Sequence, residues 1–239
     1  MPNPSMIDTV KSVIDLLKPS NYLEVSESKY GLRFLELFQN TDTYIIGVNY
    51  WPKWSVTDLP KNIIIFPVRS DYYWHSDYMT MDFKYRTDVV MIDGCQKVEI
   101  ALRNIVFASL MLNQNGHILV TNTAPENPEE AIRPKFGDKN VTKYGDTYRL
   151  LSVLKTANAA TVDQILCDDG GLCVLSNINT DAIHLHMVQL VRDCLDIPLE
   201  NREKSFDISL EDYLKKCKLI LPEVKEEKQE KQEEKISIS

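Results

Sequence analysis

The feature that most constrains the fold is a pair of apolar segments within residues 85–122, separated by an amphipathic one. The first apolar segment, Val89 to Ile92, ends on Asp93-Gly94, and the second, Ile118 to Val120, follows an Asn-Gly pair that predicts a turn. The segment between them carries apolar residues at helical spacing. Strands that are apolar on both faces and joined through a helix are typical of a parallel sheet covered on both sides. The pattern therefore predicts a βαβ crossover and an α/β fold.

Asp93 is the candidate for chemistry in this unit, because it lies at the carboxyl end of the first strand. Open α/β sheets bind their ligands in the crevice outside the carboxyl ends of the strands. A carboxylate at that edge is therefore a site candidate by position. An Asp there also caps a following helix or starts a turn, and position alone does not separate the two interpretations.

Periodicity places further elements along the chain. Strands are predicted at 22–25, 43–48, 62–66, 163–167 and 172–175, and helices at 6–17, 32–38, 148–154, 184–195 and 207–220. The last two strands are separated by the turn sequence CDDGG. Strands so close in sequence pair antiparallel, so we predict a hairpin at the edge of the sheet.

Two predicted loops are rich in aromatic residues. One is NYWPKWS, with Tyr50, Trp51 and Trp54, and the other is SDYYWHSDY, which ends at Tyr78. Aromatic side chains in loops at the ligand crevice can stack on a flat ligand. Alternatively, they roof the core or form a contact surface, and the sequence leaves both possibilities open.

Composition excludes some classes of partner. The 239 residues carry a formal net charge of -8, and no cluster of Lys and Arg is present. Nucleic acids and anionic membrane surfaces need a basic face, so we predict that neither is a partner. A hydrophobic fraction of 44% is sufficient for the core of one α/β domain, which we assign to residues 1–221.

The cysteines and the two ends of the chain point to a cytoplasmic protein. The five cysteines are scattered and form no C-x-x-C pair, which favours reduced thiols over a disulfide framework. No apolar run has the length of a signal peptide core or of a membrane span. Residues 222–239 contain the low-complexity charged run EVKEEKQEKQEEK, which predicts a disordered tail.

Several short motifs, in order, carry a resemblance to a known family. They are YLEV after a helix, IIGVNYWP, RSDYYW, VVMIDGCQKVEIALRNI, NQNGHILVTNT, KYGDTYRLL and DGGLCVL. Their order over about residues 21–221 resembles the class I S-adenosylmethionine-dependent methyltransferases, and in particular the small-molecule and glycan methyltransferase group. The resemblance implies a Rossmann-like sheet of seven strands in the order 3-2-1-4-5-7-6, with an antiparallel last strand and helices on both faces. It also implies methyl transfer from S-adenosylmethionine to a hydroxyl group of a small molecule or glycan.

The resemblance assigns roles to residues of this chain. The turn from Glu24 through Ser26 to Gly31 corresponds to the part that faces the methionine portion of the cofactor. Asn49 corresponds to the residue that meets the ribose hydroxyls, and Ser70 and Asp71 to those beside adenine. Asp93 corresponds to the residue nearest the transferred methyl group, where it positions or deprotonates the acceptor.

His75 is a second catalytic candidate. An imidazole titrates near neutral pH, so a histidine of the third-strand loop could act as a base if it reached the crevice. The alternative is an exposed loop histidine without a role.

The sequence departs from the family pattern in three places. The turn after the first strand reads SESKYG, whereas relatives carry a glycine-rich turn because the cofactor lies against the backbone. Asn49 replaces an acidic residue and offers one acceptor oxygen where a carboxylate offers two. Cys95-Gln96 and Thr121-Asn122 stand where relatives carry histidine and aspartate, so we predict that no metal is bound.

Two hypotheses from different classes follow. The first is an active methyltransferase that uses S-adenosylmethionine, and the second is a catalytically inactive protein of the same fold that acts as a binding or structural module. A nicotinamide dehydrogenase is disfavoured because no G-x-G-x-x-G follows a predicted strand. Glu27, Lys29 and Tyr30 discriminate between the first two, since these side chains either fill the crevice after the first strand or point away from it.

Overall fold

The fold is an α/β sheet with helices on both faces. A computed structural model describes residues 3–38, 41–51, 59–76, 86–135, 143–183, 192 and 195–220. The strands are β1 Asn21–Ser26, β2 Tyr44–Val48, β3 Ile63–Phe66, β4 Thr87–Asp93, β5 Leu112–Thr121, β6 Thr161–Ile165, β7 Leu172–Ser176 and β8 Asp207–Ile208. Within the described residues they form one sheet in the order β3-β2-β1-β4-β5-β7-β6-β8. The predicted fold class and the predicted order of the first seven strands are confirmed.

The strand directions match the prediction as well. Strands β1 to β5 pair parallel with one another, whereas β7 pairs antiparallel with both β5 and β6. The hairpin of β6 and β7 is present, but β6 is not the outermost strand, because β8 pairs parallel with it. The segment predicted as a helix from 207 begins with this short strand, and the helix itself starts at Leu210.

The helices cover the two faces of the sheet. They are α1 Met6–Leu17, α2 Ser70–His75, α3 Val98–Met111, α4 Leu150–Ala157 and α5 Leu210–Ile220. Helices α2, α3 and α4 bury their apolar sides in a core on one face, and α1 and α5 contribute to a core on the other. The strands between these cores are almost wholly buried, which explains why β1 and β4 read as continuous apolar runs.

The predicted Asn-Gly turn falls within the range of β5, Leu112 to Thr121, at an irregularity of that strand. Thr87 of β4 pairs with Leu112 and Val89 with His117, so β5 advances by five residues where β4 advances by two. A Cβ added at Gly116 would lie 2.7 Å from a methyl group of Leu112, four residues earlier, so the chain folds back on itself there. The change of direction that the Asn-Gly pair predicted is therefore present as a bulge inside β5 and not as a loop that precedes it.

The predicted helix over 32–38 is also wrong, because only a 3-10 turn forms there, at Leu35–Phe38. Leu32, Phe34, Leu35 and Phe38 are all buried. Apolar side chains that must all enter the core do not leave the solvated face that an amphipathic helix requires. Tertiary burial determines the backbone of this segment.

The second aromatic segment is a helix and not a loop. In α2, Tyr73 and Trp74 are buried while Tyr72 is exposed. The indole N–H of Trp74 donates to Oδ1 of Asn104 at 2.9 Å, which ties α2 to α3. For Tyr73 and Trp74 the alternative of aromatic residues that roof the core is confirmed.

Some predictions lie outside the described residues. These are most of the helix expected at 184–195, the aromatic residues Trp54 and Tyr78, and the tail 222–239. Among the helices of the described part of the chain, every one is too short or too polar to cross a lipid bilayer.

The bond between Trp74 and Asn104 gives a test of this packing. Replacing Asn104 with Leu keeps the volume but leaves the buried indole N–H without an acceptor, so we expect a loss of roughly 2 kcal/mol in the free energy of unfolding. Urea denaturation followed by circular dichroism measures this loss. The exposed Gln114→Leu on the following strand is the control, and equal midpoints for the two variants would contradict the predicted role of the bond.

Candidate functional site

The candidate site lies where β1 and β4 end side by side. The register pairs Ser26 with Asp93, so the loops that leave the two strands face each other at the carboxyl edge. We call the space between these loops the β1–β4 crevice. It corresponds to the place where α/β sheets bind ligands, because the strand order changes direction there.

Asp93 is fully buried, and both oxygens of its carboxylate have hydrogen-bond partners within the protein. Nη2 of Arg33 donates to Oδ1 at 2.6 Å and Nε donates to Oδ2 at 3.1 Å, which makes a two-bond ion pair. The hydroxyl of Thr121 donates to Oδ1 at 2.8 Å, and Oγ of Ser26 lies 3.4 Å from Oδ2. A buried carboxylate requires such partners, since an unpaired charge in the interior is costly.

Arg33 links this carboxylate to a second one. Its Nη1 donates to Oδ2 of Asp169, in the turn between β6 and β7, at 2.7 Å. The hydroxyl of Tyr144 donates to the other oxygen of Asp169 at 3.2 Å. Burial alone would lower the pKa of Arg33, but Asp93 and Asp169 together raise that pKa above its ordinary value. The guanidinium therefore stays charged and is hydrogen-bonded along both of its edges.

The backbone closes the crevice further, through contact between the loop after β1 and Gly94. The N–H of Glu27 donates to the carbonyl of Asp93 at 2.9 Å. Gly94 has a φ of +72°, and a Cβ added there would lie 2.8 Å from the backbone nitrogen of Ser28. The two loops are thus in van der Waals contact, and the backbone itself occupies the space between the strand ends.

Asn49, which directly follows β2, holds the loop after β1 in place through side-chain hydrogen bonds. Its Nδ2 donates to the carbonyls of Ser26 and Ser28 at 2.9 and 3.0 Å, and its Oδ1 accepts from the N–H of Trp51 at 2.8 Å. The amide therefore uses both of its hydrogens and its oxygen within the protein. Gly31, in the same loop, has a positive φ of +84°.

The residues expected beside adenine have different surroundings. Ser70 is buried and hydrogen bonds to the carboxylate of Glu27, while Nη2 of Arg103 donates to Oγ of Ser70 at 2.7 Å. Asp71 is partly exposed and pairs with Arg69 at 3.2 Å. Ser70 thus belongs to a cluster that reaches the loop after β1, whereas the Asp71 contacts are local.

His75 lies away from this group of residues. It is exposed at the end of α2, and its ring meets the edge of Phe107 at a centroid distance of 5.2 Å. Phe107 is nine residues into α3, or about 13 Å along the axis from its start at 1.5 Å per residue. The structure therefore does not bring His75 together with Asp93, and its catalytic role stays a prediction without support from this geometry.

Glu24 lies deeper, within β1, and is fully buried. Its carboxyl group accepts from the N–H of Phe34 and from the hydroxyl of Tyr22, each at 3.4 Å. Burial raises the pKa of Glu24 to about 8, and the nearby charge of Asp93 raises it as well. At neutral pH this carboxyl group is protonated and adds no second negative charge beneath Arg33.

Two cavities remain on either side of the closed crevice. A cavity of about 330 Å³ opens above β4 and β5, and one of about 340 Å³ lies by the ends of β1 and β2. The first is lined by Lys29, Tyr30, Arg33, Lys143, Tyr144 and Asp169, among others, and the second by Asn49, Tyr50, Trp51 and Arg69. Glu27 and Ser28 line both cavities and form the wall between them.

S-adenosylmethionine does not fit these residues as they stand. By the resemblance, the ribose would meet Asn49 and the methionine portion would lie against the turn after β1, near Asp93. The wall of Glu27 and Ser28 separates those two places, and the guanidinium of Arg33 occupies the inner one. Among the described residues, no group of three or more His, Cys, Asp and Glu is arranged to hold a metal ion.

Sequence reasoning missed the residues that fill the crevice. Glu27, Lys29 and Tyr30 were named as side chains that either fill the crevice or point away. Glu27 hydrogen bonds to Ser70 and forms part of the wall between the two cavities, while Lys29 and Tyr30 are exposed at the rim of the first cavity. Arg33 carries no motif, and its partners follow it by 60 and 136 residues. The one available signal was Gly31, whose positive φ turns the chain just before Arg33.

The buried Glu24 predicts a pH dependence of stability. Its pKa is about 8 in the folded protein and about 4.3 in an unfolded chain, so the folded state holds an extra proton between these values and stability falls as pH rises through that window. Glu24→Gln removes the penalty. We expect nearly equal stability of the two proteins near pH 4 and a gain on the order of 5 kcal/mol for the variant near pH 9.

Urea denaturation at a series of pH values measures this difference. The exposed Glu36→Gln is the matched control, because it removes the same charge from the 3-10 turn. Parallel pH profiles of the wild type and Glu24→Gln would contradict the prediction.

Gly94→Ala tests the contact between the loops. The substitution places a Cβ at a positive φ and 2.8 Å from the Ser28 backbone, so we expect a loss of at least about 2 kcal/mol in the free energy of unfolding. Thermal and urea denaturation measure it. An unchanged midpoint would mean that the loop after β1 does not rest on Gly94.

Comparisons with known proteins add to this geometry. No family model matches the chain, and no curated protein matches its sequence. Among solved structures, the chain is similar to an assigned caffeoyl-CoA O-methyltransferase from Staphylococcus aureus, with 13% identity, a TM-score of 0.51, and coverage of 71% of this chain and 81% of that one.

Two further structures are similar at a lower score. An assigned O-methyltransferase from Nostoc punctiforme PCC 73102 has 13% identity and a TM-score of 0.48 over 72% of this chain, which spans 56% of the length of that protein. The O-methyltransferase TomG from Streptomyces achromogenes, in complex with SAM, has 12% identity and a TM-score of 0.48, over 70% of this chain and 77% of that one. Together with the strand order, the Staphylococcus aureus match confirms that this chain has the fold of the class I S-adenosylmethionine-dependent methyltransferases.

Proposed function

We propose that the chain is a catalytically inactive protein of the methyltransferase fold that serves as a binding or structural module. The observation that carries the proposal is the two-bond contact of the Arg33 guanidinium with Asp93. It lies where the resemblance to the family expects the reacting end of the cofactor.

Charge is the first argument against cofactor use. The donor in methyl transfer is a sulfonium, which is a cation, and Arg33 already supplies a cation to the buried Asp93. Two like charges in a poorly solvated space repel strongly. Methyl transfer also requires donor and acceptor to be held at near-attack distance. The contact of Ser28 with Gly94 leaves no space for both molecules between the ends of β1 and β4.

The state of the polar groups is the second argument. Asp93 accepts hydrogen bonds from Arg33 and Thr121, so it is not free to position or deprotonate an acceptor hydroxyl. Asn49 likewise uses its amide within the protein. The active alternative, transfer of a methyl group to a hydroxyl of a small molecule or glycan, requires the loop after β1 to leave its place.

The aromatic residues of the carboxyl edge support a binding role. Tyr30, Tyr50, Trp51 and Tyr72 are each more than half exposed and lie in or beside the loops that follow β1, β2 and β3. Tyr50 and Trp51 line the cavity of about 340 Å³. Exposed aromatic rings beside polar groups favour a small molecule or glycan as ligand.

The other expectations about partners stay predictions. The net charge of -8 supports the absence of nucleic-acid and anionic membrane partners. The cytoplasmic compartment and the roles of Glu24, Ser26, Gly31, Asn49, Ser70 and Asp71 toward a cofactor likewise stay predictions, and the oligomeric state is left open.

Calorimetric titration of the whole chain with S-adenosylmethionine and S-adenosylhomocysteine tests the proposal. A ligand at 100 times its Kd stabilises a protein by about 2.7 kcal/mol, which raises the melting temperature of a chain of this size by roughly 5 to 10 °C. We expect neither binding heat nor a rise in melting temperature at about 1 mM of either compound.

A cofactor-binding protein of the same fold, titrated in parallel, is the positive control for the ligands. Saturable binding to the wild-type chain with a Kd below about 100 μM would overturn the proposal and favour the active alternative.

A further inference from the structure

We infer that Asp93 and Asp169 form a guanidinium-binding cradle that Arg33 fills from the same chain. It follows that a ligand of the β1–β4 crevice must bring a cation that can replace this guanidinium. The inference rests on the proposed function, because it takes the crevice to be closed in the wild-type protein.

The two carboxylates of the cradle hydrogen bond to opposite edges of the guanidinium. Asp93 receives Nε and Nη2, and Asp169 receives Nη1 from the other edge of the plane. A planar guanidinium with fixed N–H directions matches carboxylates in this manner, whereas an ammonium group supplies only a point charge. The arrangement is therefore selective for shape as well as for charge.

The carboxylates keep other partners that do not depend on Arg33. Thr121 donates to Asp93, and its Oγ1 in turn accepts from the N–H of Gly94 at 3.1 Å. The hydroxyl of Tyr144 donates to Asp169, with its own pKa raised by burial and by that carboxylate. These bonds hold the two carboxylates in position when the guanidinium is removed.

A small molecule can reach the cradle from outside. Arg33 and Asp169 both line the cavity of about 330 Å³, and their side chains are 24% and 37% exposed. Asp93 lies behind them and is fully buried. Lys29 and Lys143 line the same cavity, and Nζ of Lys143 lies 3.8 Å from Oδ1 of Asp169. An entering cation therefore passes these ammonium groups to reach Asp169, and it reaches Asp93 only after the Arg33 side chain has moved aside.

The expected order of ligand affinities follows from the groups that each compound offers to the two carboxylates. A guanidinium compound restores all three N–H bonds, a sulfonium restores only the charge, and a neutral molecule restores neither. The cradle should therefore favour guanidinium compounds over sulfonium compounds, and both over neutral ones.

The test is chemical rescue of Arg33→Ala in the full chain with methylguanidinium chloride. We expect the variant to melt below the wild type, and about 10 mM methylguanidinium to recover at least half of the lost melting temperature, since a ligand of the folded state stabilises it by linkage. Urea, which is neutral and of similar shape, should give no recovery. Absence of recovery by methylguanidinium in a folded Arg33→Ala protein would overturn the inference.

Two further variants sharpen the result. Lys29→Ala removes an exposed cation from the same loop and should show no rise with methylguanidinium. In Arg33→Ala with Asp169→Asn, the affinity for methylguanidinium should fall about tenfold, because one carboxylate of the cradle is lost. Equal affinity in the single and double variants would show that the compound binds elsewhere and would contradict the cradle.

A variant that fails to fold still gives an answer. If Arg33→Ala folds only when methylguanidinium is present during refolding, the inference is supported, and if it does not fold with the compound either, the inference fails. The outcome is independent of the cofactor titration. Binding of S-adenosylmethionine to the wild type overturns the proposed function, whereas failed rescue overturns only the cradle.

Discussion

The buried ion pair of Arg33 and Asp93 is the interaction on which the closed crevice depends. A carboxylate with no exposed surface must be paired, and removing one partner of a buried pair typically costs about 3 to 5 kcal/mol. Asp93 is fully buried, and among its described partners only Arg33 carries a charge. The side chain of Arg33, and with it the loop after β1, is therefore held in place by a buried charge for which Arg33 is the one hydrogen-bonded cation in the part of the chain that the structure describes.

The sheet and the closed edge are supported by different kinds of contact. The sheet depends on apolar side chains of β1, β4 and β5 that pack in two cores, and Leu32 and Phe34 of the loop after β1 join one of them. The crevice itself is closed by polar contacts of Arg33, Asp93 and Asn49. A fold can therefore persist while its site changes. In this chain Asn49 illustrates the change, since an amide at the end of β2 donates to two carbonyls of the neighbouring loop, which a carboxylate cannot do.

The sequence predicted most of the framework because the relevant signals are local. Continuous apolar runs gave β1, β2 and β4, helical periodicity gave α1 and α3, and the spacing of β6 and β7 gave their antiparallel hairpin. An error arose where a local signal has two structural meanings. The apolar spacing after Gly31 serves burial and not a helix.

The candidate site was predicted only in part, because it is formed by distant pairs. Asp93 was identified from its position at a strand end and Asn49 from the resemblance to the family. The turn after β1 was recognised as a departure from the family's glycine-rich turn, but the direction in which its side chains point was not. Arg33 stands at no position that a strand or motif marks, and Asp169 was recognised only as part of the turn sequence CDDGG. Charge pairing between segments so far apart leaves no pattern in one sequence. Which side chain fills a closed space is decided by three-dimensional packing.

The turn that contains Asp169 also has a consequence for folding during synthesis. Arg33 leaves the ribosome before Asp169, which follows it by 136 residues in the hairpin of β6 and β7. The entropy of closing so long a loop opposes the contact until the segments between the two residues are ordered. A nascent chain whose hairpin has not yet emerged therefore has no Asp169 to hold the outer edge of the Arg33 guanidinium, and the carboxyl edge of its sheet is only partly closed.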